Sequence, residues 1–74
     1  MYGNTEHLHH ECTWKNRRII IDACELSSGD FEVMVMYKSS GRDIESYRTT
    51  DLRIAEKVYK GYLEKYHPEA AQKQ

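Results

Sequence analysis

The sequence predicts an α+β fold: a three-stranded antiparallel meander sheet followed by one C-terminal amphipathic helix packed on one face, in the order β-β-β-α. Three observations carry this expectation. Residues 17–26 (RRIIIDACEL) and 31–38 (FEVMVMYK) are rich in β-branched and apolar side chains and are bounded by turn residues, as strands are. The connections after them share a Ser-Ser-Gly core, Ser27-Ser28-Gly29 and Ser39-Ser40-Gly41, which is short hairpin chemistry. From residue 51 to residue 66 the apolar side chains fill one half of a helical wheel and the charged ones the other.

Taken in chain order, residues 1–13 show neither a helical nor a strand period and read as a mobile N-terminal arm. The domain proper spans 14–67, and 68–74 form a frayed tail. A three-residue loop at Ser27–Gly29 pairs Leu26 with Asp30 and fixes the register of the first two strands. Ile19, Ile21 and Ala23 then share a face with Val33, Val35 and Tyr37. A slip of one residue would bring Asp22 among the valines, at a desolvation cost. The third strand is the more polar stretch 43–49 (DIESYRT). The same loop at Ser39–Gly41 puts Tyr47 with the valines and Ile44 with Met34 and Met36, and draws Glu45 toward the apolar side. Thr50 or Asp51 caps the helix by accepting bonds from its free N–H groups. His67-Pro68 ends it, because the residue before a proline is disfavoured in helical conformation. The helix contributes Leu52, Ile54, Ala55, Val58, Tyr59, Tyr62, Leu63 and Tyr66 to its apolar half, the tyrosines as core residues with their hydroxyls at the edge.

A chain of 74 residues holds one small core. Eleven basic and twelve acidic side chains give a net charge of −1, too balanced for a global field that steers toward nucleic acid or an anionic membrane. No segment approaches the ~20 apolar residues that span a bilayer. The first ten residues lack the apolar run of a signal peptide. Cytoplasmic residence is therefore expected, without membrane contact and with Cys12 and Cys24 as reduced thiols.

One helix covers one sheet face. The other face is left with Ile20, Cys24, Met34, Met36 and Ile44, where an ordinary solvated face is polar. Such an apolar cluster marks a contact surface, and methionines suit adaptable interfaces. The simplest occupant is a second copy of the chain. The competing reading folds Trp14 and the N-terminal arm over this face.

Catalytic signatures are missing from the sequence. It has no G-x-S-x-G, P-loop or G-x-G-x-x-G pattern, and its carboxylates are scattered without an apolar setting to raise one as a general acid. Nucleophilic use of a cysteine needs a lowered pKa and a fixed base, and histidines on a mobile arm supply no fixed base. The expectation is a protein that is not an enzyme and needs no cofactor. His7, His9, His10 and Cys12 have the side-chain types of a metal site, but their spacing matches no standard zinc pattern, so no metal is expected and these four stand only as reserve ligands.

The stretch Tyr47-Arg48-Thr49-Thr50-Asp51-Leu52-Arg53-Ile54-Ala55-Glu56-Lys57-Val58-Tyr59 resembles the junction of last strand and helix in AP2 and integrase-type DNA-binding domains, which also place three antiparallel strands before one helix. The resemblance covers about a third of the chain and implies groove binding by the free sheet face, with Arg17, Arg18, Lys38, Arg42 and Arg48 as phosphate contacts. This sequence departs from that family by lining the face with Ile20, Met34, Met36 and Ile44.

The function expected from the sequence is thus a small non-enzymatic protein-interaction module. It self-associates as a homodimer or binds a protein partner through the outer sheet face, and its size suits an accessory or inhibitory factor of a phage or mobile element. The alternative is a nucleic-acid-binding β-β-β-α domain. A second alternative is metal binding through the N-terminal His/Cys cluster.

Overall fold

The computed structural model of the chain describes residues 8–69. Its elements are β1 (Leu8–Trp14), β2 (Arg17–Glu25), β3 (Phe31–Tyr37), β4 (Asp43–Thr49) and α1 (Leu52–Tyr66). The sheet is an antiparallel meander in the order β1-β2-β3-β4. The class is α+β with one C-terminal helix, as expected, but there are four strands and not three. The additional one is formed by residues 8–13 of the expected mobile arm together with Trp14; residues 1–7 and 70–74 lie outside the described part.

Strand β1 exists because Lys15 and Asn16 both adopt left-handed backbone, with φ of 51° and 66°. Two such residues make the type I′ turn whose twist matches that of a hairpin. They fold Leu8–Trp14 back along β2, with His10 opposite Ile21 and Cys12 opposite Ile19. Alternation then puts Leu8, His10, Cys12 and Trp14 on the inner face and His9, Glu11 and Thr13 on the outer one. Trp14 does not reach over the methionines. It meets Tyr66 edge-on at the opposite side of the sheet, with ring centroids 5.0 Å apart.

The β2–β3 hairpin has the expected register. Leu26 N–H donates to Asp30 O at 2.7 Å, Gly29 takes the left-handed conformation, and Ile19, Ile21 and Ala23 oppose Tyr37, Val35 and Val33. The β3–β4 loop differs. It closes on Tyr37, whose N–H donates to Arg42 O at 2.9 Å, so the loop is one residue longer than the first. Met36 therefore faces Asp43, while Val35 still faces Glu45. Ile44 falls between these pairs as a bulge. This displaced residue packs against the buried cluster, a correction to its expected place beside Met34 and Met36.

The core lies between the inner sheet face and α1. Ile19, Ile21, Val33 and Val35 are fully buried, and Ala55, Tyr59, Leu63 and Tyr66 cover them from the helix. Asp51 caps α1 by accepting the Arg53 N–H at 2.9 Å, and His67 closes it with its N–H on Leu63 O at 2.7 Å. Leu52 and Ile54, counted above in the apolar half-wheel, remain exposed. They sit in the first turn, while the four buried helical residues fall at intervals of three or four further along. Val58 and Tyr62 are half-buried at the margin of the cluster.

Glu45 reaches the inner face from β4 and ties it to the end of the helix. Its carboxylate accepts the Tyr66 hydroxyl and the Lys65 ammonium, the latter at 2.9 Å. These bonds, that of Tyr66 first, hold the Glu45 carboxyl below its ordinary value of 4.5.

Two expectations follow from this packing. Leu63→Ala should cost about 2–5 kcal/mol, whereas Lys57→Asp, on the exposed side of the helix, should stay within about 0.5 kcal/mol. Urea denaturation measures both, and equal losses would mean that the helix is seated on another face. A carboxyl whose pKa is depressed in the folded state adds stability above its unfolded value and loses it as pH falls through the folded one. Wild type should therefore lose more stability on acidification below pH 4.5 than Glu45→Gln does. Parallel acid limbs in the two denaturation series would show that the Tyr66–Glu45–Lys65 tie adds nothing.

Candidate functional site

Among the described residues, two places gather chemistry-bearing side chains, one on each side of the sheet.

The outer face carries Ile20, Cys24, Met34 and Met36 as half-buried residues. Ile20 pairs directly with Met36, Asp22 with Met34 and Cys24 with Glu32. Of the five residues expected at a partner surface, the register keeps these four together. The fifth, Ile44, packs half-buried against the core cluster instead. Strand β1 brings a polar stripe that the three-stranded reading did not contain. His9 Nδ1 donates to Asp22 Oδ1 at 3.1 Å, and its Nε2 lies 3.4 Å from Glu11 Oε2. Glu11 also accepts from Lys38 Nζ at 3.0 Å and from Arg18 Nη2 at 3.4 Å. The hydrogen bond from Lys38, then that from His9, keep the Glu11 carboxyl below its ordinary range. Its bond to Asp22, then that to Glu11, raise the His9 imidazole. On the far flank Arg48 approaches Glu32 at 3.8 Å. Burial, followed by the charges of Asp22 and Glu32, lifts the Cys24 thiol, which makes it a poor nucleophile.

The expected phosphate contacts do not form one cationic stripe. Arg18 and Lys38 converge on a single glutamate, and Arg48 lies near another. Arg17 points to the inner side and stacks over the Tyr37 ring at 5.2 Å. Arg42 belongs to the β3–β4 loop, where its carbonyl closes the turn.

On the inner face, His10, Cys12 and His67 come together, with ligand atoms that all lie within 4.8 Å of one another. His10 and Cys12 are two apart on an edge strand and so share a face. His67 is the C-cap of α1. The imidazoles meet through His10 Nε2 and His67 Nδ1 at 2.8 Å, one nitrogen donating its proton to the other. Burial, reinforced by the neighbouring His67 and His9, lowers the His10 pKa. Burial raises the Cys12 thiol, which Arg18 partly opposes.

The N-terminal cluster named from sequence is thus divided. His9 is on the outer face, His10 and Cys12 are on the inner one, and His7 lies outside the described residues. Cys12 and Cys24 are both free thiols and sit on opposite faces of the sheet. His67 was read from sequence only as a helix stop. Its meeting with His10, 57 residues away, depends on β1 pairing with β2 and has no local signal.

No helix among the described residues is long and apolar enough to cross a membrane. Comparison with family models, curated proteins and solved structures finds no match to this chain.

Proposed function

We propose that the chain is a small non-enzymatic binding module that self-associates through the outer face of its sheet. The observation that carries this reading is the direct pairing of Ile20 with Met36, next to Met34, on a face that no described element covers. The helix buries the inner face with Ala55, Tyr59, Leu63 and Tyr66, and its exposed Leu52 and Ile54 are confined to the first turn. Solvating such a strip leaves methionine and isoleucine surface in water, and a second copy removes it.

Charge supports the same occupant. Arg18, Lys38 and Arg48 on this face stand against Glu11, Asp22 and Glu32. Asp43, opposite Met36, adds a fourth acid, so with His9 neutral the face carries a net charge of about −1 and two identical faces repel only weakly. A nucleic-acid surface needs uncompensated cations, and here the basic groups are shared with acids at 3.0–3.8 Å.

The size of the face sets the strength. Strands about 4.8 Å apart and about 3.3 Å per residue give four strands of seven, nine, seven and seven residues a footprint of roughly 480 Å² per copy. Both copies together reach a little under the ~1,000 Å² expected of a stable specific interface. The dimer is therefore weak and concentration-dependent, and the monomer keeps its own core.

Sedimentation across a concentration series tests this. The wild-type mass should rise from that of the 8.8 kDa monomer toward twice that value. Met34→Glu combined with Met36→Lys should hold it at the monomer while leaving the circular dichroism unchanged. A wild-type chain that remains monomeric at its highest soluble concentration contradicts the reading. Salt-sensitive binding of added nucleic acid by that monomer would favour the groove-binding alternative.

A further inference from the structure

We propose that His10, Cys12 and His67 form a binding site for a single zinc-class divalent metal ion, which fastens the N-terminal edge strand to the C-terminal end of the helix. The three side chains come from two elements at opposite ends of the described chain, yet their ligand atoms fall within 4.8 Å of one another. One thiolate and two imidazoles are the donor set that zinc and its borderline-soft neighbours take. Around a tetrahedral ion, ligand nitrogens about 2.0–2.1 Å from the metal lie about 3.3 Å from each other. His10 Nε2 and His67 Nδ1 are 2.8 Å apart, so a small outward rotation of either ring admits the ion.

The surroundings fit a held ion. Cys12 is buried with its Sγ toward the helix side, and the two imidazoles are half-buried beside it. The far nitrogen of His67, Nε2, faces the exposed Glu69 carboxylate at 4.0 Å, an electrostatic neighbour beyond hydrogen-bond distance. On binding, the Cys12 thiol gives its proton to solvent and the sulfur forms a bond to the metal. The proton shared by the two imidazoles moves to an outer ring nitrogen, so each inner nitrogen offers a lone pair. Three protein donors leave a fourth position for water or an external ligand. His9, adjacent in sequence, takes no part because it lies on the other face with Asp22.

This site is independent of the outer-face association, and the experiment keeps the two apart. The full chain is titrated with cobalt(II), read by its thiolate-to-metal charge-transfer and ligand-field absorption, followed by displacement with zinc. One cobalt per chain, a thiolate band and its loss on adding zinc are expected. His67→Gln should weaken binding at least about tenfold with wild-type circular dichroism, and Cys12→Ser should remove the thiolate band. His9→Gln and the Met34→Glu, Met36→Lys double variant should bind as wild type does. Cobalt binding without the thiolate band, which would put the metal on histidines alone, overturns the proposal, as does binding that His67→Gln leaves unchanged. Failure to bind cobalt or zinc also overturns it.

Discussion

The whole molecule follows from one constraint: a single helix has one apolar side and a sheet has two faces. Burying Ala55, Tyr59, Leu63 and Tyr66 commits the helix to the inner face, where Ile19, Ile21, Val33 and Val35 lose all contact with water. Nothing comparable is left for the other face. Its apolar strip is narrowed by charged neighbours on β1 and β4, which limits its exposed surface without covering it. The polar flank made by Glu11, His9, Lys38 and Arg18 thus serves the domain in two ways. It flanks Ile20, which lies opposite Glu11, and its Arg18 and Lys38 offset part of the acidic charge of the face.

The N-terminal strand is the second dependency. Without it, β2 would be an edge, Cys12 would lack its place over Ile19, and His10 could not reach His67. Its pairing shelters one edge of β2, whose Ile19 and Ile21 are fully buried. It also lets the two ends of the described chain meet, so that Trp14 packs on Tyr66 and the histidines of the two ends share a proton. In so small a domain, a contact between the ends closes the longest available loop, which is the costliest closure in chain entropy.

Most of the sheet and all of the helix were legible in the sequence, because alternation in 17–26 and 31–38, the two Ser-Ser-Gly loops and the half-wheel agree with one another. The first strand was not, since L-H-H-E-C-T-W contains no β-branched run beyond Thr13 and its inner positions include a histidine. Asn16 in a two-residue connection was the available signal, and it announces a type I′ hairpin only once the flanking residues are read as strands. Ile44 was misplaced for a different reason. Identical Ser-Ser-Gly cores closed on different residues, and the one-residue difference was absorbed by a bulge whose position sequence does not set. Of the candidate partner surface, four of five residues were legible from register alone. The His10–Cys12–His67 cluster was not, because its third member arrives through tertiary packing.

The outer face is the surface proposed to meet another molecule, and the side-chain methyls of Met34 and Met36 report on it directly. Of the three methionines in the chain, these two stand on that face, and the third is Met1. Methyl NMR spectra over a dilution series should show both resonances moving with protein concentration. Intermolecular contacts should appear between them and Ile20, while the buried Val33 and Leu63 methyls stay fixed. Methionine resonances that do not change with concentration, alongside moving signals from the helix or an edge strand, would contradict it.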